Sequence, residues 1–221
     1  MFNLLHVVSL ASEAGAAEAS RIAAALADAG TGFEGVLNSV AAPTLPRALN
    51  GGSLMWRMTF ATEDDQWAAL GSRQWQANVA PLLSREAGVS FDRISYRPGL
   101  KDTTPGRAKP GIWRCLVMAI DGGTPTEVIR QFERDTASMP RHVSTIRNWQ
   151  MGAVMASEGR RRWTHVWEQE FDDMAGLEGE YMTHPIHWGL VDGWFDPECP
   201  QRIVDTLLIH AAMDITEAVI L

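Results

Sequence analysis

Trp163-Thr164-His165-Val166-Trp167-Glu168-Gln169-Glu170-Phe171 and Glu180-Tyr181-Met182-Thr183-His184-Pro185-Ile186-His187-Trp188 hold three of the chain's six histidines and one of its two tyrosines. The first segment alternates as a strand does. Trp163, His165, Trp167, Gln169 and Phe171 fall on one face, and Thr164, Val166, Glu168 and Glu170 on the other. An acidic turn, Asp172-Asp173, leads into a helical segment that carries Tyr181. Pro185 must interrupt that helix, because the residue before a proline is pushed out of the α region. It can also open a second helix at its first position, with His184 flanking it. The stretch is thus expected to deliver one imidazole from a strand, and a phenol and two imidazoles from a broken helix, toward one region.

Working outward, residues 112–120 read as a strand. Residues 121–125 form a turn in which Thr124 caps a helix that begins at Pro125 and runs over 127–139. Strands are expected over 143–154 and 163–171, helices over 176–183 and 185–194, and a last strand over 203–210 that extends toward 221. The first half repeats the order. A strand over 2–10 precedes an Ala-rich helix over 18–29, in which Ile22 and Leu26 stand at i, i+4. A short strand (36–40), a Pro/Gly loop (41–52), a strand (53–60), a helix from 63 that continues brokenly to 83, and a strand (91–97) follow. Both halves therefore read β-α-β-β-α-β, the ferredoxin-like order. Residues 99–111, with two prolines and three glycines, read as a linker between units 1–98 and 112–221. His6-Val7-Val8 and Arg114-Cys115-Leu116 fall in like positions, as do Thr59-Phe60 and Glu170-Phe171. Helices cover one face of such a sheet and leave the other apolar, so two units side by side bury those faces together. The expected fold is α+β: two fused ferredoxin-like units making an α+β barrel, an intramolecular pseudo-dimer. Whether two chains pair further stays open.

Composition narrows the function. A net charge of −8 argues against nucleic acid or an anionic membrane as partner. Two cysteines make no disulfide framework; Cys115 lies in an apolar run and Cys199 in a proline-flanked loop, which suits a reducing, cytoplasmic setting. No basic residue precedes the apolar start, and His6 interrupts it, which argues against a signal peptide. No apolar run approaches the ~20 residues of a membrane span.

Residues 112–210 resemble the Dabb family, the stress-response dimeric α+β barrel domains. Trp163-Thr164-His165-Val166 and the His184-Pro185-Ile186-His187 segment, with Gly189 behind it, carry the likeness. Residues 1–98 look like a second, degenerate copy. There His6 matches an opening-strand histidine, Leu54 stands where the strand histidine would be, and nothing reproduces His-Pro-x-His. In the second copy Arg114 replaces the opening histidine. The resemblance implies, by analogy with olivetolic acid cyclase of this fold, that His165, Tyr181 and His187 are catalytic. A hydroxynitrile lyase of the fold adds that carbon–carbon cleavage is within its range, although fold alone does not fix a reaction.

The residues themselves permit enolisation. A neutral imidazole is the natural base near pH 7. A phenol or second imidazole can hydrogen-bond a carbonyl oxygen as charge develops there. His187 is the candidate base, with Tyr181 and His165 as partners; the two histidines' roles could be exchanged. Neither metal nor organic cofactor is needed. A zinc site is the poorer reading, since there is no His-Glu-x-x-His and no nearby cysteine. Trp163, Trp167 and Trp188, with His184, read as a wall for a small, aromatic ligand, or, more blandly, as packing at the seam, His184 capping its helix. Dinucleotide, Walker and nucleophile-elbow motifs are absent. The resulting expectation is a cofactor-independent lyase, cyclase or isomerase. The alternatives are a non-catalytic small-molecule-binding barrel of the stress-response type, or a structural barrel.

Overall fold

The computed structural model describes residues 1–11, 15–103 and 111–221. The first unit runs β1 (Phe2–Ser9), α1 (Ala16–Thr31), β2 (Val36–Pro43), β3 (Leu54–Phe60), α2 (Glu63–Gly71), α3 (Arg73–Asn78) and β4 (Ser90–Asp102). The second runs β5 (Ile112–Met118), α4 (Thr126–Ser138), β6 (Trp149–Glu158), β7 (His165–Phe171), α5 (Met174–Gly176) and β8 (Ile209–Asp214). All eight strands join one antiparallel sheet in the order β2-β3-β1-β4-β6-β7-β5-β8. Each half supplies the same internal order. β4 pairs with β6 at one seam, and at the other the segment after β2 reaches β8, where Leu49 and His210 exchange backbone hydrogen bonds at 2.8 and 2.9 Å. The sheet is thereby a nearly closed barrel of two fused ferredoxin-like units.

Alternation sorts the side chains into three layers. On β5, Trp113, Cys115 and Val117 point into the barrel with Leu5, Val7 and Met55, while Ile112, Arg114, Leu116 and Met118 point outward and are covered by helices. Helix α1 buries Ala19, Ile22, Ala23, Leu26 and Gly30, an i, i+3, i+4, i+7 stripe, against the outer face of the first unit. Gly30 is needed there: a Cβ would collide with Ser39 Oγ and approach Trp56 to 3.1 Å. Thr62 and Asp65 form a capping box that starts α2.

Several boundaries depart from expectation. β4 runs on to Asp102, paired with Trp149 of β6, so the first residues of the expected linker are strand; residues 104–110 lie outside the described part. Pro125 itself occupies the cap position of α4, because the Thr124 hydroxyl turns back to donate to the Asp121 carbonyl at 2.7 Å. β6 starts at Trp149; before it Val143 and Ile146 pack in the core ahead of the strand. The last strand is Ile209–Asp214, later than read, and residues 215–221 do not extend it. Ile215, Val219 and Ile220 pack into the barrel, where the Val219 and Ile220 amides donate to Glu170 Oε1 at 2.6 and 2.8 Å. The match between halves also shifts. Met58 faces Leu4 and Gln169 faces Arg114, so Leu4 and Arg114 are the like positions, and His6 matches Leu116.

Candidate active site

The site lies outside the barrel, between the second unit's sheet and its helical cover. Asp173 caps α5 by accepting from Gly176 N at 2.9 Å. The chain then takes two wide π-helical turns, Leu177–Tyr181 and His187–Val191. Such turns are uncommon and recur at functional sites, since each re-aims the side chains that follow. Between them Pro185 breaks the helix, and His184 Nδ1 accepts from Ile186 N at 3.2 Å. The consequence is that Tyr181 and His187 meet edge to face with ring centroids 5.0 Å apart.

Below them β5, β7 and β8 contribute the floor. Arg114 projects outward from β5, its Nε donating to His210 Nε2 at 3.0 Å and its Nη1 to Gln169 Oε1 at 2.6 Å. Its guanidinium carbon lies 5.1 Å from the centre of the Tyr181 ring, a cation–π contact. The walls border an open cavity of about 300 Å³, lined by Arg114, Trp167, Tyr181, His187, Asp192 and His210 together with Leu116, Thr136, Met182, Val191, Phe195 and Leu208. Thr136 Oγ1 and Trp167 Nε1 are buried on this wall without a hydrogen-bond partner among the described residues. The Trp167 indole and the Gln169 amide lie near the Tyr181 hydroxyl without making a hydrogen bond to it. A second cavity of about 270 Å³ shares Arg114, Met182 and His210 and is walled by Leu45, Pro46 and Ala48 from the first unit. Larger hollows occur, of about 390 Å³ near Arg85 and Asp92 and about 640 Å³ on the β6–β7 hairpin. Neither brings an imidazole or a phenol to its wall, so side-chain chemistry rather than volume marks the site.

Electrostatics keeps the imidazoles neutral. Burial lowers the His187 pKa, opposed by the Asp192 carboxylate 3.6 Å from its Nδ1 and assisted by Arg114. Arg114, then burial, then His187 push His210 down to about 3. Its Nε2 is thus a free acceptor for the guanidinium, which places the ring hydrogen on Nδ1. Burial raises the Tyr181 phenol, against the pull of Arg114, so it stays protonated and can donate.

Residues 112–205 match the family described as Stress responsive A/B Barrel Domain. This segment is similar to an A/B barrel domain. No curated protein sequence matches the chain. Among solved structures, an anthrone oxidase-like protein superposes with a TM-score of 0.70 at 9% identity, covering 96% of this chain and 90% of the other. A putative monooxygenase from Fusobacterium nucleatum subsp. nucleatum gives 0.59 at 10% identity over 98% and 92% of the two chains. A putative monooxygenase from Lactobacillus acidophilus NCFM gives 0.55 at 9% over 97% and 98%. At these identities the likeness concerns the fold alone.

Within the second unit the sequence-derived residues separate. Tyr181, His187 and Trp167 line the cavity together. His165 does not join them: it sits nearer the start of β7 under α4, its Nδ1 2.9 Å from Thr164 Oγ1 and its Nε2 3.4 Å from Glu133. Burial lowers its pKa against the opposing pull of Glu133. Trp163 precedes β7 and turns into the barrel, its indole donating to Asp92 at 3.1 Å, so it does not share a face with His165. Trp188 is 62% exposed and donates weakly to the Thr183 carbonyl. His184 caps its turn and packs 6.1 Å from His142. Arg114 and His210 complete the cavity instead. Among the described residues no group of three or more His, Cys, Asp and Glu is placed to hold a metal ion.

Proposed function

We propose that this cavity binds a small aromatic or polyketide-like carbonyl compound and enolises it, with His187 as base and Tyr181 as hydrogen-bond donor. The observation that carries the reading is a neutral imidazole and a protonated phenol in ring contact on one cavity wall. His187 removes a proton from the carbon beside the carbonyl. The electron pair moves onto the carbonyl oxygen, where the Tyr181 hydroxyl stabilises it. The enolate carbon then attacks a second carbonyl of the same molecule, and the protonated His187 returns its proton to the new alkoxide. In reverse, the same steps cleave a carbon–carbon bond. Asp192 favours the imidazole orientation in which Nδ1 faces the carboxylate and Nε2 acts as base. The chemistry needs no cofactor, and the activity is that of a lyase, cyclase or isomerase. The likeness to a structure named anthrone oxidase-like favours a second reading, in which dioxygen meets the same enolate.

A turnover screen by mass spectrometry tests this. Wild type and His187→Phe are incubated with phenolic aldehydes, β-keto thioesters, β-hydroxy carbonyl compounds and anthrone, in air and without oxygen. Product from wild type alone supports the reading, and its oxygen dependence selects between ring closure and oxygenation. Binding without product, unchanged in the folded variant, leaves a non-catalytic binding barrel and overturns it.

A further inference from the structure

We infer that the ligand of this cavity carries a carboxylate and that Arg114 is its counter-ion. The inference deepens the proposed function and rests on it only for the position of the reacting carbonyl. Arg114 is 4% exposed. A guanidinium stays charged at every accessible pH, and a buried charge is tolerated when an opposite charge or several strong acceptors face it. A second buried arginine follows that rule: Arg57, 1% exposed, is paired with Glu168 at 2.6 Å. Arg114 has no ion-pair partner among the described residues. Its contacts are a neutral amide oxygen, a neutral imidazole nitrogen and an aromatic face. Asp192, the acid of the same cavity, is turned to His187.

The geometry shows where an anion fits. Nε and Nη1 are occupied by His210 and Gln169, which fixes the guanidinium plane and leaves Nη2 unengaged. Arg114 stands where the two cavities meet, and lines both. A carboxylate there lies beside the Tyr181 ring, whose hydroxyl receives the carbonyl in the proposed reaction. The two groups of the ligand are then a few bonds apart, as in a β-keto acid or an aromatic acid acylated next to its carboxylate. Charge-assisted hydrogen bonds of this kind are the strong ones and give Arg its preference for carboxylates.

Isothermal titration calorimetry with 2-naphthoate and 2-naphthamide tests the inference at fixed ionic strength. Neither compound has an enolisable hydrogen, so the result is independent of whether the site enolises anything. The acid is expected to bind wild type at least about 10-fold more tightly than the amide, and Arg114→Met should abolish that preference. The acid should also raise the melting temperature of wild type and leave that of Arg114→Met unchanged. Should Arg114→Met fail to fold, Arg114→Gln serves in its place. An amide bound as tightly as the acid, binding of neither up to millimolar concentration, or an acid preference that survives loss of the guanidinium each overturns the inference.

Discussion

Arg57 Nε donates to Glu168 Oε1 at 2.6 Å inside the barrel, and the two residues hold the same position in the two units. Arg57 faces Leu5 on β1, and Glu168 faces Cys115 on β5. In a symmetric pair of identical chains such a position would meet its own copy, charge against like charge. Two halves of one chain can differ, and here the difference is an ion pair. Thr59, Asn3 and the Val219 carbonyl accept further bonds from Arg57, and Trp113 and Gln150 donate to Glu168. The ion pair thereby joins the two units across the barrel interior.

This pair predicts non-additive mutational effects. Arg57→Met or Glu168→Met alone leaves an uncompensated buried charge and should destabilise by about 3–5 kcal/mol. The double variant should be less destabilised than the sum of the singles, by at least ~1 kcal/mol. Urea unfolding of the four proteins measures the coupling. Additive losses would mean that the two side chains stabilise the fold independently.

Stability toward acid should depend on His6. Its ring is buried against Trp56, Trp75 and Phe91, with neither nitrogen hydrogen-bonded, and burial, with the Arg93 charge, pushes its pKa to about 3. An unfolded histidine protonates near 6.5. Between those values the unfolded chain binds a proton that the folded chain does not, so stability falls as pH falls from about 6.5 toward 3. The slope from one such group is at most ~1.4 kcal/mol per pH unit. His6→Phe should flatten the decline without loss of stability at pH 7, as urea midpoints across pH 4–8 would show; an unchanged slope would mean that His6 protonates in place.

Tyr181→Phe tests the phenol separately from the fold. The ring keeps its packing on Phe171 and His187, so stability should change by less than about 1 kcal/mol. Loss of the donor at a developing oxyanion should lower kcat by ~100-fold with little effect on KM. A rise in KM at constant kcat would assign Tyr181 to binding alone.

The order of elements along the chain could be read from sequence because alternation and helical spacing repeat in both halves. What misled was position within a strand. β7 pairs with β5 from His165 onward, and Trp163, just outside that pairing, is free to turn the other way. The end of the last strand was unreadable because residues 215–220 are as apolar as a strand, yet serve to plug the barrel and bond Glu170. At the site, Tyr181 and His187 could be paired because the His-Pro break links them locally. Arg114 and His210 could not, since they lie 96 residues apart and only the β5–β8 register, in which Leu116 faces His210, makes them neighbours. One signal for Arg114 was available: a lone charge in the otherwise apolar run of residues 112–120 announces a buried cation.

Hydrogen exchange at carbon reports whether His187 abstracts a proton from a bound carbonyl compound. A carbonyl compound with an acidic C–H, such as anthrone or a cyclic 1,3-diketone, is held in D2O under argon, and deuterium uptake is followed by NMR with wild type, His187→Phe and His165→Phe. Uptake above the buffer rate is expected with wild type and His165→Phe, and uptake at the buffer rate with His187→Phe. Equal uptake with and without His187, or loss only when His165 is replaced, would contradict it.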